Sequence, residues 1–382
     1  MRQSIRILLG VIVVISLGIL FSLHDMPAID VLAKMGEVLG NDTSFWLKSG
    51  QEGQKMAVEL LGGYNYFSKE GSSSEQLIWQ ENQRQQNQSG SIGEDENPLV
   101  GDVEPMKESA SVAAQSTAVV RQKSALVEQL KESKDVNFLW KNFYIVDSTT
   151  SVTKDTFHVE KLLTMPMTMK KKEKKKQICI YHTHGASEGF SDSRRNVLED
   201  SVVGVGDELT KELEKRGYGV YHDRTQYDRV NGGIDRSLAY NKSLEGIQSI
   251  RAKHPDIEVM IDLHRDSVGK GKHIYTTIQG KKTAVVMFFN GMSRNRKGAI
   301  PYLYNPNLQG NLAFSLQLKC KAMEYYEGLT KPIYLKGYRY NLHLEKKSLL
   351  LEWGNENNSV SEAKNAAAPM ADVLDKVLSG EH

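Results

Sequence analysis

The chain has 382 residues, of which 40% are hydrophobic and 25% charged, with a formal net charge of +2 at pH 7. That length can hold two or three ordinary domains, the balance excludes a wholly disordered chain, and the near-neutral charge gives no reason to expect nucleic acid as a partner. Two cysteines, Cys179 and Cys320, with no CxxC spacing, exclude a disulfide framework and a thiolate metal cage, and both are expected as buried free thiols.

The first predicted element is apolar. Residues 7–23, ILLGVIVVISLGILFSL, carry no charge over 17 positions, a helix of roughly 25 Å at about 1.5 Å per residue, near the short end for a bilayer. Arg2 and Arg6 precede the run and nothing basic follows until Lys34. The bias puts the N-terminus in the cytoplasm and the rest of the chain outside it. A cleaved signal peptide is the alternative, but the run is longer than a signal core and HDMPAID lacks an A-x-A site. Residues 1–24 are therefore expected to be a single-pass anchor in the cell membrane. Residues 25–67 hold short helical patterns. Residues 68–118, rich in Ser, Gln, Glu, Asn and Gly, cannot bury enough apolar surface to offset chain entropy and predict a flexible linker.

Order is expected again over 119–175, an adaptor with an amphipathic helix in SALVEQLKESKD and a strand in FLWKNFYIVD. Six lysines and one glutamate over 170–176 mark a solvated boundary. Residues 176–382 then alternate strands and helices. Strands are expected in ICIY, YGVYHD, IEVMIDLH, AVVMFFNG and SLLLEWG, and helices in VLEDSVVGVGDELTKELEKRG, IDRSLAYNKSLEGIQSIRAKHP, NLAFSLQLKCKAMEYYEG and, interrupted by proline, EAKNAAAPMADVLDKVL. That alternation predicts an α/β domain, its mostly parallel central sheet flanked by helices on both faces. No internal repeat and no phosphate-binding loop is evident, and the GVG inside the first of these helices reads as packing or noise.

Three predicted strands end in reactive residue types. The first runs into His182, His184 and Glu188, the third ends at His264 and the fifth at Glu352. In an open parallel sheet such ends lie along one edge, so residues distant in sequence can meet. A catalytic zinc takes three nitrogen or oxygen ligands and keeps one open position, polarises a carbonyl and acidifies water, and a nearby glutamate can shuttle the proton. Two histidines, a ligating glutamate and a free glutamate supply those parts. The plainer alternative is an ion-pair cluster of Asp262, Arg265 and Asp266 in which His264 only packs, with Glu352 a buried carboxylate held by an arginine.

The blocks IYHTHGASEGF, NKSLEGIQSIRAKHPDIEVMIDLHRDS, NPNLQGNLAFSLQLKCKAMEYYEGLTKPIYLKGYRYNLHL and LLLEWGNENNSVSEA, in this order over roughly 135–380, resemble the stage II sporulation protein P family, relatives of zinc-dependent N-acetylmuramoyl-L-alanine amidases. The resemblance implies a Zn2+ cofactor, peptidoglycan as substrate and cleavage of the amide joining the muramic acid lactyl group to L-alanine, with endopeptidase activity on crosslinks also attributed to the family. It implies forespore engulfment as the setting and the sporulation proteins D and M as partners. Two departures stand out. Glu188-Gly189-Phe190 replaces the usual Glu-Ser-Tyr, and Trp353 follows Glu352 where a small residue is usual, which bears on substrate fit.

His184 falls where the amidase histidine sits at a strand end, and His182, two residues deeper, is expected to pack or support. For the third ligand, Glu188 belongs to the family motif, while Glu199 lies just before a helix, like the first-helix glutamate of other zinc amidases. His184, Glu188 and His264 are thus the expected ligands and Glu352 the expected general base, with Arg265 and Asp266 as residues that could orient His264. Two other functions remain open: a carboxypeptidase-like wall peptidase, which needs an arginine such as Arg194, Arg195 or Arg265 for a terminal carboxylate, and an inactive wall-binding scaffold.

Overall fold

A computed structural model describes residues 124–269 and 271–380. The anchor, helical segment and linker expected over 1–118 lie outside the described residues. Among those described, no helix is long and apolar enough to cross a membrane.

Helices α1 (Ala125–Ser133) and α2 (Val136–Phe143) lead into strand β1 (Tyr144–Val146) and the short helix α3 (Val159–Thr164). The expected strand in FLWKNFYIVD is therefore mostly helix. Asp135 caps it by accepting the Asn137 N–H at 2.9 Å, and Leu139 and Phe143, four apart, bury one stripe.

Next come β2 (Ile178–Tyr181), α4 (Val202–Lys215) and β3 (Val220–His222). Ser201 caps α4 through the Val203 N–H; Val202, Val205, Leu209 and Leu213 form its buried stripe. A small hairpin of β4 (Arg229–Val230) and β5 (Gly233–Ile234) precedes α5 (Ala239–Lys253) and β6 (Val259–Asp266). The helix expected from IDRSLAYNK thus starts late, because Asn231 and Gly232 both adopt positive φ and turn the chain in a hairpin first.

A second hairpin, β7 (Tyr275–Ile278) with β8 (Lys281–Ala284), leads into β9 (Val286–Gly291), and a third pairs β10 (Arg294–Asn295) with β11 (Gly298–Ala299). The chain ends with α6 (Leu308–Tyr325), β12 (Ile333–Lys336), β13 (Lys347–Asn355), α7 (Val360–Asn365) and α8 (Ala367–Ser379). Ser359 and Glu362 form a capping box at α7. The break before α8 falls at Ala366, not at the proline: Pro369 sits in the first turn of α8, where its missing N–H leaves no bond unmade.

Seven strands form one sheet in the order β1-β12-β9-β13-β6-β2-β3. All neighbours are parallel except β13 and β9, which pair antiparallel. The connections explain the exception. Among the described residues, the chain makes only a hairpin between β6 and β9, and only a loop with one 3-10 turn, Leu342–Leu344, between β12 and β13. Neither supplies the helical crossover that a parallel return needs.

One face of the sheet, carrying Ile178, Ile180, Ile261, Leu263, Phe288, Leu351 and Trp353, packs in a single core with α4, α6 and α8. The other face is more thinly covered. There Cys179, Tyr181 and Met260 meet Ile247 and Ile250 of α5, and Phe289 and Leu350 meet Leu342. Both cysteines are buried and free.

Candidate functional site

Three adjacent parallel strands, β13, β6 and β2, carry the chemistry. Glu352 is the register partner of His264, and Tyr181 that of Asp262. Residues 260, 262 and 264 alternate onto the α5 face, so Asp262 and His264 point away from the main core.

At the end of β2 the chain turns, with Gly185 N–H donating to His182 O at 3.3 Å and Ser187 N–H to His184 O at 3.2 Å. The turn separates the two histidines that strand alternation alone would keep on one face. His184 reaches the α5 face, its ring 5.2 Å from that of His264 and 5.5 Å from that of Tyr240. His182 stays in the main core. Its Nδ1–H donates to Leu263 O at 3.0 Å, and its Nε2 lies 2.8 Å from Nε2 of His222, whose Nδ1 faces Asp207 at 3.0 Å. Burial, reinforced by His222, holds the His182 pKa well below its ordinary value. The GVG of α4 finds its reason here. A Cβ on Gly206 would stand 2.6 Å from His222 Nε2 and 2.8 Å from His182 Nε2, too close for either ring.

Glu188 is buried beside His264, with Oε1 3.4 Å from His264 Nδ1 and 2.5 Å from the Arg236 guanidinium, while Oε2 accepts the Arg265 N–H at 2.8 Å. Its loop is fixed from below by Asp228, which is fully buried and accepts the N–H groups of Ala186 at 2.9 Å and Ser187 at 3.0 Å. Glu199, the other glutamate weighed as a ligand, is exposed and pairs with Arg224 at 2.9 Å.

Asp262 is the carboxylate that faces His264. Its Oδ1 is 2.9 Å from His264 Nε2, a close contact without hydrogen-bond alignment, and the carboxylate is anchored by the Thr183 N–H at 3.0 Å and hydroxyl at 2.7 Å. The Arg265 side chain turns to Asp266 O and Glu356, and Asp266 pairs with Lys331 at 3.1 Å, so neither side chain contacts His264. Trp353 lies on the opposite face, fully buried, its indole N–H donating to Ala363 O at 2.8 Å. Its bulk fills the core and does not touch the site.

The electrostatics show a surplus of carboxyl groups. Burial opposes charge on His264, but Asp262 and Glu188 outweigh it and hold its pKa well above the usual histidine range. Burial pushes Glu352 up to about 8, with Glu188, Asp266 and Asp262 adding to the rise against His264. Burial pulls His184 down to about 2, helped by His264 and Arg236, so its imidazole is neutral. His184 Nδ1, His264 Nε2 and Glu352 Oε2 are buried without a hydrogen-bond partner.

Such orphaned atoms are rare in folded chains and mark a place built for something else. A neutral imidazole, a second imidazole and a carboxylate are the donor types zinc takes, so the residue set fits that ion. No three His, Cys, Asp or Glu side chains among the described residues already surround a common point, however.

Three residues at the site were not singled out from sequence. Asp228 and Arg236 flank the hairpin that Asn231-Gly232 signals, and Tyr240 opens α5 at helical spacing that reads as packing. Tyr240 is held from the far side by Asn341, whose side-chain N–H donates to Tyr240 O at 3.0 Å; Tyr340 and Asn341 both adopt positive φ to place that contact.

Fold and cluster together define an α/β protein with a buried imidazole–carboxylate site at the carboxyl ends of three neighbouring parallel strands. Residues 55–375 match the family model of Stage II sporulation protein P (SpoIIP), and the chain belongs to that family. Stage II sporulation protein P of Bacillus subtilis (strain 168) is 29% identical over 218 residues, covering 53% of this chain and 51% of that protein, so the chain spans about half the length of that curated relative. Among solved structures, the CwlD amidase of Clostridioides difficile in complex with the GerS lipoprotein aligns over 54% of this chain and 100% of its own, at 15% identity and a TM-score of 0.36. An N-acetylmuramoyl-L-alanine amidase from Clostridium difficile 630 aligns over 53% of this chain and 94% of its own, at 12% identity and a TM-score of 0.34.

Proposed function

We propose that the chain is a membrane-anchored, zinc-dependent hydrolase of the sporulating cell's wall that cleaves the amide between the muramic acid lactyl group and L-alanine. Family membership supports the setting. One observation carries the chemistry: β2, β6 and β13 bring two imidazoles and two carboxyl groups together on one thinly covered face, with buried donor atoms left unpartnered.

His184, Glu188 and His264 would hold the zinc. When bound, the ion supplies Lewis-acid polarisation of the amide carbonyl and acidifies water. The remaining work falls to the chain's own groups. Asp262 lies 2.9 Å from His264 Nε2 and Glu188 3.4 Å from its Nδ1, so a carboxylate faces each ring nitrogen. Asp228 fixes the loop that carries His184 and Glu188. Glu352 takes the proton of the attacking water and delivers it to the departing amine, so that the C–N bond breaks, a C–O bond forms, and a carboxylic acid and an amine result. The anchor at 7–23 would place this site outside the cytoplasm, where sporulation proteins D and M could act with it, and crosslink peptides would be a second substrate.

The test is the purified full-length chain on peptidoglycan, with products identified by mass. The expected result is release of peptides that begin at L-alanine, lost on chelation and restored by zinc. Cleavage at another bond, or cleavage indifferent to chelator, refutes the reading.

A further inference from the structure

The Arg236–Glu188 pair is lopsided. Glu188 is fixed: its side chain is 5% exposed, and its second oxygen is bound by the Arg265 backbone. Arg236 is 51% exposed and stands on the open side of the site, on the connection between the β4–β5 hairpin and α5. The backbone beneath it is held by Asp228, whose carbonyl accepts the Asp235 N–H at 2.8 Å. The neighbouring Asp235 carboxylate is turned into its own loop by the Ser237 N–H at 2.8 Å and does not claim the guanidinium. If the pair opens, the arginine is the partner that moves.

A divalent cation bound by Glu188 would force that opening. The carboxylate oxygen that Arg236 holds is the one nearest His264, and two cations on one oxygen repel. We propose that Arg236 has two positions. In the metal-free site it neutralises Glu188; once zinc takes that carboxylate, the guanidinium turns to the open side and binds a free carboxylate on the peptide side of the substrate. A planar fork of donors suits that partner, and the position is within electrostatic reach of His184. Of the other arginines considered for such a role, Arg194 forks onto Asp200 at 2.6 and 3.0 Å and Arg265 faces Glu356, while Arg195 is exposed on the loop beyond Ser193. The proposal rests on the zinc hydrolase reading and names the substrate feature that site would select.

The experiment uses the full-length chain and its Arg236→Gln and Arg236→Lys variants, each checked for folding by thermal unfolding in chelator. Zinc affinity is read by competition with a chromophoric chelator. Turnover is read on two soluble muramoyl peptides that differ only in a carboxylate or a carboxamide on the residue after L-alanine. Arg236→Gln should bind zinc about three- to tenfold more tightly, since its competitor is gone. It should lose about tenfold in kcat/KM on the carboxylate substrate relative to the carboxamide. Arg236→Lys, which keeps the charge without the fork, should fall between on both readings and serves if the Gln variant misfolds. Unchanged zinc affinity overturns the first position, and an unchanged carboxylate preference overturns the second. If the wild-type chain binds no zinc and cleaves no amide, the preceding reading fails instead.

Discussion

Replacing Glu352 with glutamine should stabilise the metal-free protein while abolishing the proposed hydrolysis. Glu352 is half-buried near the end of β13 with one carboxyl oxygen shielded and unpartnered, and its pKa is pushed from an ordinary 4.5 to about 8, chiefly by burial. A carboxyl whose folded pKa lies above its unfolded value favours the fold only while protonated. Stability is therefore lost as pH rises past about 4.5, and the loss levels off above about 8. At pH 7 the gap is about two and a half pH units, so Glu352 destabilises the fold by roughly 3 kcal/mol; at pH 5, close to the unfolded value, the penalty is well under half of that. Glutamine keeps the size and removes the proton. In chelator at pH 7, Glu352→Gln should unfold roughly 6–12 °C above wild type, with a gap that shrinks toward pH 5. Turnover per folded, zinc-loaded molecule should fall by about 10²–10⁴, the usual weight of a general acid–base group, with zinc retained. If Glu352 instead anchored β13 through an ion pair, the variant would be less stable and activity would fall only with the folded fraction. A stability difference independent of pH, or turnover within about threefold of wild type, refutes the reasoning.

His184→Ala and His264→Ala should each abolish stoichiometric zinc binding, because two ligands hold the ion poorly; metal analysis showing full occupancy in either would remove that residue from the ligand set. His182→Ala should keep its zinc but lose about 3 kcal/mol of stability, since His222 and the Leu263 carbonyl lose a buried partner. Asp228→Ala strips the acceptor from two backbone N–H groups under the His184–Glu188 loop and should weaken zinc binding by about 10–100-fold, read by chelator competition. Protease added to intact protoplasts should digest the chain beyond residue 23 and spare the N-terminal arginines; protection of the 176–382 domain would reverse the expected topology.

Much of the site's inventory is legible in the sequence because it is local. Runs such as ICIY and SLLL are β-rich and mostly apolar, and soon after them come His184 and Glu188 in the first case and Glu352 in the second. His264 likewise closes IEVMIDLH. Strand ends and helix stripes follow from side-chain periodicity, which neighbours in sequence express by themselves. What the tertiary structure alone decides is which of these residues meet, and on which face. His264 contacts Glu188 across 76 positions and Arg236 contacts it across 48, separations that no local pattern reports. A turn after Tyr181 sends His184 to the α5 face and leaves His182 in the core with His222. Trp353 looks like a neighbour of the substrate in sequence, but strand alternation puts it on the opposite side of the sheet from Glu352. Asp262, the carboxylate against His264, sits two residues before it on the same strand face, whereas Arg265 and Asp266 turn to other partners. The reversal of β9 depends on the absence of a crossover helix between β6 and β9. Each of these outcomes rests on through-space packing and on the path of the connections, which are properties of the folded chain as a whole.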